Sequence, residues 1–154
     1  MRIRLLSLIL AMTAGTAQGA GSCPVTTPPE PAFVPPKPYP VVTKQQSFYI
    51  GSAKLWVLVY DSPWRGLPVW PEGYRQKIVW WSEGYDAKAD PTPNISIAGR
   101  RLDAEALPLV VTGANGSWTD HDFIMSGVNF PTAGCWEITG RFRGAEVKFV
   151  VKVE

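Results

Sequence analysis

The sequence predicts an all-β protein: an immunoglobulin-like β-sandwich of about seven strands, preceded by a signal peptide and a proline-rich extended arm. Three observations carry this expectation. Phe130 to Glu154 reads as a β-hairpin whose register is written in its residues. No stretch shows helical periodicity with caps. Short apolar or alternating runs recur between turn signals from residue 47 to the end. The expected organisation is a signal at 1–20, an arm at 21–46 and one domain at 47–154.

Arg2 and Arg4 form a basic start, Leu5 to Met12 a short apolar core, and Thr13 to Ala20 a small, polar end. That is the anatomy of a secretory signal, and it is too short to span a membrane. Ala17-Gln18-Gly19 places small residues where a signal peptidase reads, so cleavage is expected near Gly19 or Ala20. The chain is then exported, to a periplasm or beyond. The full sequence has 15 Lys+Arg and 13 Asp+Glu. Arg2 and Arg4 leave with the signal and take no acid with them, which makes the remainder formally neutral. A neutral surface gives no electrostatic case for nucleic acid or anionic lipid. No later segment could form a transmembrane span, and what remains suits one domain with one core.

Cys23 to Pro40 holds eight prolines in eighteen residues. Such a run excludes helix and central strand and favours polyproline II. It is either a spacer or proline-groove ligand, or an arm packed along the domain with Phe33 and Tyr39 as anchors. The two cysteines, Cys23 and Cys135, both lie in the exported part, where an oxidising compartment lets them pair. The bridge would close a loop of over a hundred residues, worth roughly 4–5 kcal/mol in the chain-entropy model. A competing reading makes Cys23 a lipid anchor. Against it, Ala20-Gly21-Ser22-Cys23 lacks the large aliphatic residue usual three places before such a cysteine.

Ser47 to Tyr60 is the first strand region, with Leu55, Val57 and Val59 alternating against Trp56, Leu58 and Tyr60. Ser62 to Gly66 is a turn, and Leu67 to Tyr74 a loop. Arg75 to Ser82 is a strand with Ile78 and Trp80 on one face and Val79 and Trp81 on the other. Gly84 to Asn94 is a polar loop. Ile95 to Leu102 is a strand interrupted at Gly99, and Leu107 to Thr112 another. Ala114 to Ser117 reads as a turn before a strand at Phe123 to Val128. Trp56 or Trp80 is the expected central core tryptophan.

The closing hairpin turns at Arg143-Gly144. Around it Phe142 faces Ala145, Gly140 faces Val147, Ile138 faces Phe149 and Trp136 faces Val151, almost all apolar. The other face sets Arg141 against Glu146, Thr139 against Lys148 and Glu137 against Val150, with opposite charges opposed. A one-residue slip would carry Phe149 and Val151 into water. Cys135 falls on the outer face, opposite Trp136 and Ile138, where a returning arm can reach it.

Three stretches, KIVWWSEGYD at 77–86, ISIAGRRLDA at 95–104 and IMSGVNFPTAGCWEITGRFRGAEVKFVVKV at 124–153, resemble a family of small exported bacterial proteins. Its members share the upstream Cys-Pro, the proline-rich arm and the tryptophan that follows, here Leu55-Trp56. The similarity covers nearly all of the exported part, and Phe130 to Gly140 (the FPTAGCWEITG signature) is its most specific stretch. The resemblance implies an immunoglobulin-like envelope or secreted domain, and it links the two cysteines. It implies no activity, substrate or catalytic residue.

Candidate chemistry is sparse. His121, in Asp120-His121-Asp122, is the only histidine. Ser117 and Ser126 are near it in sequence, but no nucleophile elbow is present, so a hydrolase is not expected. His121 and Met125 form the one metal-carrier candidate, for copper. Copper selectivity wants more soft ligands than Met125 offers. Among seven tryptophans, Trp64, Trp70 and Trp118 sit in turns near Tyr74. Loop aromatics either stack on sugar rings or partners or fold back as lids over a small sandwich. Arg100-Arg101 beside Asp103 reads as exposed ion pairing rather than an anion site.

Expected, then, is a non-enzymatic exported binding or structural module of a bacterial cell envelope, without cofactor. Its partner is an envelope protein or a glycan. The alternatives are a carbohydrate-binding module using Trp64, Trp70, Tyr74 and Trp118, and a periplasmic copper carrier using His121 and Met125.

Overall fold

The computed structural model describes residues 22–41 and 46–154. The expected signal at 1–20, and residues 21 and 42–45 of the expected arm, lie outside them. Among the described residues nine strands form: β1 (Ser47–Ser52), β2 (Leu55–Tyr60), β3 (Val69–Trp70), β4 (Gly73–Trp81), β5 (Ser96–Arg101), β6 (Val110–Trp118), β7 (Asp122–Phe130), β8 (Gly134–Phe142) and β9 (Ala145–Val153). They make two antiparallel sheets. Sheet A runs β1-β2-β4-β7-β6, with β3 paired to β4, and sheet B runs β5-β8-β9. With β4 to β9 taken as strands B to G, and the β1–β2 hairpin in place of A, this is the immunoglobulin order, ABED against CFG.

The terminal hairpin has the register its residues predict. Phe142 pairs with Ala145, Ile138 with Phe149 and Trp136 with Val151, and Arg141 opposes Glu146. Their ion pair closes to 2.6 Å on the surface. Arg143 and Gly144 both take positive φ, 48° and 79°, as a two-residue hairpin turn requires.

Several expected boundaries need correction. The first strand region is a hairpin, because Ala53-Lys54 reverses the chain between β1 and β2. The expected turn at 114–117 is the body of β6. The irregularity falls earlier, as a bulge between Val111 and Ala114 around Gly113 at φ 108°. Gly116, read as a turn glycine, instead allows close approach. A methyl there would strike the Tyr85 hydroxyl and come within 2.9 Å of the Asp90 carbonyl oxygen. Gly99 does not interrupt β5, since its carbonyl accepts from the Leu109 amide at 3.3 Å and Leu109 fills the space beside it.

The inner faces alternate as the pleat demands. Leu55, Val57 and Val59 of β2, Ile78 and Trp80 of β4, and Ile124 and Val128 of β7 meet Trp136, Ile138, Phe149 and Val151 from sheet B. Trp80 and Trp136 are the two inter-sheet tryptophans, both fully buried. Trp80 Nε1 donates to Ser126 Oγ at 2.9 Å, which satisfies the one polar atom of an otherwise apolar ring. Trp56 is equally buried, but on the outside of sheet A, where no second sheet covers it.

Its cover is the N-terminal segment. Cys23 is bonded to Cys135 on the outer face of sheet B, with Cα atoms 5.5 Å apart. Thr26 then meets the free edge of β9. Its amide donates to the Val150 carbonyl at 2.9 Å, and its hydroxyl accepts from the Val150 amide at 2.8 Å. Further on, Phe33 and Tyr39 lie against Trp56, at 6.1 and 4.8 Å between ring centroids. The segment thus runs from the outside of one sheet, past the β9 edge, to the outside of the other. Ser62 and Trp64 close the rest of that edge. Ser62 Oγ accepts from Lys152 N, Trp64 N donates to Lys152 O, and Glu154 N donates to Trp64 O. An exposed strand edge invites pairing with another chain, and β9 is sealed along its second half.

Candidate functional site

Three places on this frame could carry function: the outer face of sheet A under the arm, the rim around Trp70, and a groove beside the disulfide.

On sheet A, Tyr49, Trp56, Trp81 and Phe123 project outward from β1, β2, β4 and β7. Trp56 and Trp81 are cross-strand partners with nearly parallel rings, 6.5 Å apart. Tyr49 meets Trp81 edge-on at 5.3 Å, and Phe123 lies 6.2 Å from it. Tyr39 roofs this row and donates its hydroxyl proton to the Ser82 carbonyl at 3.2 Å. Burial, aided by the Asp122 and Glu83 carboxylates, raises the Tyr39 pKa above its ordinary value. The sequence offers Phe33 and Tyr39 as anchors of a packed arm, and they do anchor it, but that they meet Trp56 in one row with Trp81 follows from the strand pairing. The signal for the row was present, since Trp56 and Trp81 fall on the faces opposite Leu55 and Trp80 and so need a cover of their own.

The aromatic set Trp64, Trp70, Tyr74 and Trp118 does not converge. Trp64 is buried and so corrects the expectation of an open platform. Its ring stands 6.0 Å from Phe130 and 6.5 Å from Phe149, and its Nε1 donates to the Tyr60 carbonyl at 3.0 Å. It closes the end of the core and offers no free ring face. Tyr74 packs half-buried against the same core. Trp70 and Trp118 are exposed, at 49 % and 57 %. Trp70 pairs near the Phe130 end of β7 and Trp118 near the Asp122 end. At about 3.4 Å per residue they stand roughly 25 Å apart along the sheet. Arg75, which sequence reasoning passed over, lays its guanidinium 4.3 Å above the Trp70 ring and donates to Thr112 Oγ1 at 3.1 Å. That braces the indole at low entropic cost.

His121 lies at the β6–β7 turn, 5.5 Å from the Tyr39 ring. Met125 is four residues further along β7, about 13 Å at strand rise. Among the described residues, no three His, Cys, Asp or Glu side chains assemble as a metal-binding group. Ser126 is fully buried, accepts a hydrogen bond from Trp80 Nε1 and donates to the Ile78 carbonyl. It is a core hydroxyl and cannot meet a substrate. Asn129 is buried too, and its amide has no protein partner.

At the β6–β7 end, Tyr85 donates to the Asp90 carbonyl at 2.7 Å, and Ala87 N donates to Asp122 Oδ2 at 3.0 Å. These bonds strap the 84–94 loop down. Burial and the Asp90 carboxylate push the Tyr85 pKa up to about 12.

The groove is open, of about 890 Å³, and is lined by Cys23, Cys135, Pro24, Arg100, Arg101 and the 102–108 loop among others. Arg100 pairs with Glu137 at 2.9 Å and Arg101 with Asp103 at 2.7 Å. These bonds hold both carboxyls below the usual carboxylate range. Cys23 Sγ is spent in the disulfide, so in this state it has no valence for a lipid thioether. Among the described residues, no helix is long and apolar enough to cross a membrane.

No family model, no curated protein and no solved structure matches the chain.

Proposed function

We propose that the chain is a non-enzymatic, exported β-sandwich module of a bacterial cell envelope, acting by binding or bracing a partner there. The observation that carries this reading is the Cys23–Cys135 disulfide, which joins the arm to the last-but-one strand. Such bridges persist in oxidising compartments. The signal-like start and the resemblance described above point the same way. A neutral surface, with its charges engaged in exposed pairs such as Arg141–Glu146 and Arg65–Glu154, suits a protein partner or a glycan better than nucleic acid.

The test is an intact mass of the protein exported by its own signal, before and after reduction and alkylation. A chain beginning near Gly21, with both thiols blocked until reduced, is the expected result. A chain beginning at Cys23 and carrying acyl groups would replace it with a lipid-anchored module and a free Cys135.

A second reading, glycan binding, is favoured by Trp70, whose exposed ring is held in place by Arg75. Stacked indoles suit sugar rings. Tryptophan emission across a panel of soluble glycans, with Trp70→Ala as control, tests it. Silence throughout the panel removes it.

A further inference from the structure

The two halves of the disulfide sit very differently in the groove they line. Cys135 is 1 % exposed, at the floor on β8. Cys23 belongs to the arm and is half-buried. A thiolate entering the groove therefore meets Cys23 first.

Strand register sets two basic residues on the outer face near Cys135. Lys152 of β9 is its direct cross-strand partner, on the same outer face. Arg100 of β5 stands on that face one diagonal away, opposite Glu137. Cations beside a sulfur favour the thiolate and make it a better leaving group. Both cations are themselves paired, Arg100 with Glu137 at 2.9 Å and Lys152 with Glu154 at 2.6 Å, so they lend a leaving thiolate only the part of their field those pairs leave; Asp103 is held by Arg101. Glu105 lines the groove as well.

The arm does not depend on the S–S bond alone. Thr26 holds the β9 edge by two hydrogen bonds, three residues beyond Cys23, and Phe33 and Tyr39 hold Trp56. Opening the bond would leave Cys23 tethered above Cys135, so the reverse reaction stays intramolecular.

We propose that the Cys23–Cys135 bond is a thiol–disulfide exchange site, entered from the groove and attacked at Cys23 Sγ. The incoming thiolate forms a bond to Cys23 Sγ, the Cys23–Cys135 bond breaks, and its electron pair leaves on Cys135 Sγ, across the strand pair from Lys152. No separate oxidant or reductant is consumed. Attack of the Cys135 thiolate on Cys23 expels the thiol and restores the starting state. The substrate class is a thiolate, carried either by a small thiol or by a cysteine of another protein.

The experiment uses the folded, full exported chain at mildly alkaline pH without denaturant. One arm adds excess glutathione, and the other adds a reduced, unfolded protein with a single cysteine. Both are quenched with acid, alkylated and mapped by mass spectrometry. The expected product is one adduct on Cys23 with Cys135 alkylated, and Lys152→Gln slows its formation several-fold. An adduct in the glutathione arm identifies small thiols as substrates, and one in the protein arm alone identifies protein thiols. No adduct in either arm until denaturant is added would overturn the proposal. An adduct on Cys135, or a Lys152→Gln rate equal to wild type, would overturn the assignment of attacked and leaving sulfurs.

Discussion

Replacing Gly140 with alanine adds one methyl group to the centre of β8, and the consequence can be worked from the packing. Gly140 faces the six-membered ring of Trp80. A Cβ there would strike Cη2 and Cζ3 and lie 3.1 Å from Cε3. Trp80 cannot yield cheaply. It is fully buried, is held by its bond to Ser126, and has Phe149 6.1 Å away. Overpacking of this kind costs about 1–3 kcal/mol. A strained Trp80–Ser126 hydrogen bond adds up to about 1 kcal/mol. Relief of glycine's unfolded-state entropy returns about 0.5–1 kcal/mol. The net loss is about 2 kcal/mol, which for a domain of this size lowers Tm by roughly 8 °C. Thermal unfolding followed by circular dichroism and tryptophan fluorescence measures it. Trp80→Phe removes the struck ring atoms, so the double variant should recover at least about 1 kcal/mol against additivity. A Gly140→Ala protein as stable as wild type, or a strictly additive pair, would refute the reasoning.

Three more outcomes follow from the same geometry. Removing the disulfide by Cys23→Ser with Cys135→Ser opens a loop spanning 112 residues, at a cost of about 5 kcal/mol in the chain-entropy model; a denaturant midpoint near wild type would contradict it. Tyr39→Ala uncovers Trp56 and should shift tryptophan emission to the red, with a loss of about 1–3 kcal/mol; an unmoved spectrum would mean the arm does not roof sheet A in solution. The raised Tyr85 pKa, about 12, makes the unfolded chain lose its proton first, so Tyr85 stabilises the fold fully below about pH 10. That contribution fades as pH climbs toward 12 and should be absent in Tyr85→Phe, measured as denaturant midpoints between pH 9 and 12.

What could be read before the structure depended on how local the determinants are. The β8–β9 register was legible because turn, alternation and cross-strand charges agree within 25 residues. The two cysteines were legible as a pair from compartment chemistry. The course of β6 was not. Ala114-Asn115-Gly116-Ser117 has turn composition, and only the approach of Tyr85 explains why a glycine sits inside a strand. Trp56 and Trp80 stand as alternatives for the central tryptophan in the sequence, and Trp80 takes the place, because the burial of Trp56 comes from an arm some twenty residues upstream. Trp64 read as a turn aromatic, since its neighbours in space, Phe130 and Phe149, lie far along the chain. For the candidate site, the aromatic types were visible, but the distance between Trp70 and Trp118 depends on strand pairing alone.

The closure of the β9 edge has a consequence for the order in which this chain can fold. Thr26, Ser62 and Trp64 all take their hydrogen-bond partners from Val150, Lys152 or Glu154. Cys23 waits for Cys135. Cys23, Thr26, Ser62 and Trp64 therefore lack these partners until residues 135–154 arrive. Contacts of such long sequence separation make for slow folding, and a nascent chain would carry an unpaired Cys23 thiol and an unpacked Trp64 until then. A protein stopped short of β9 should lose the Thr26 anchor and the Trp64 plug together, as one cooperative event rather than two.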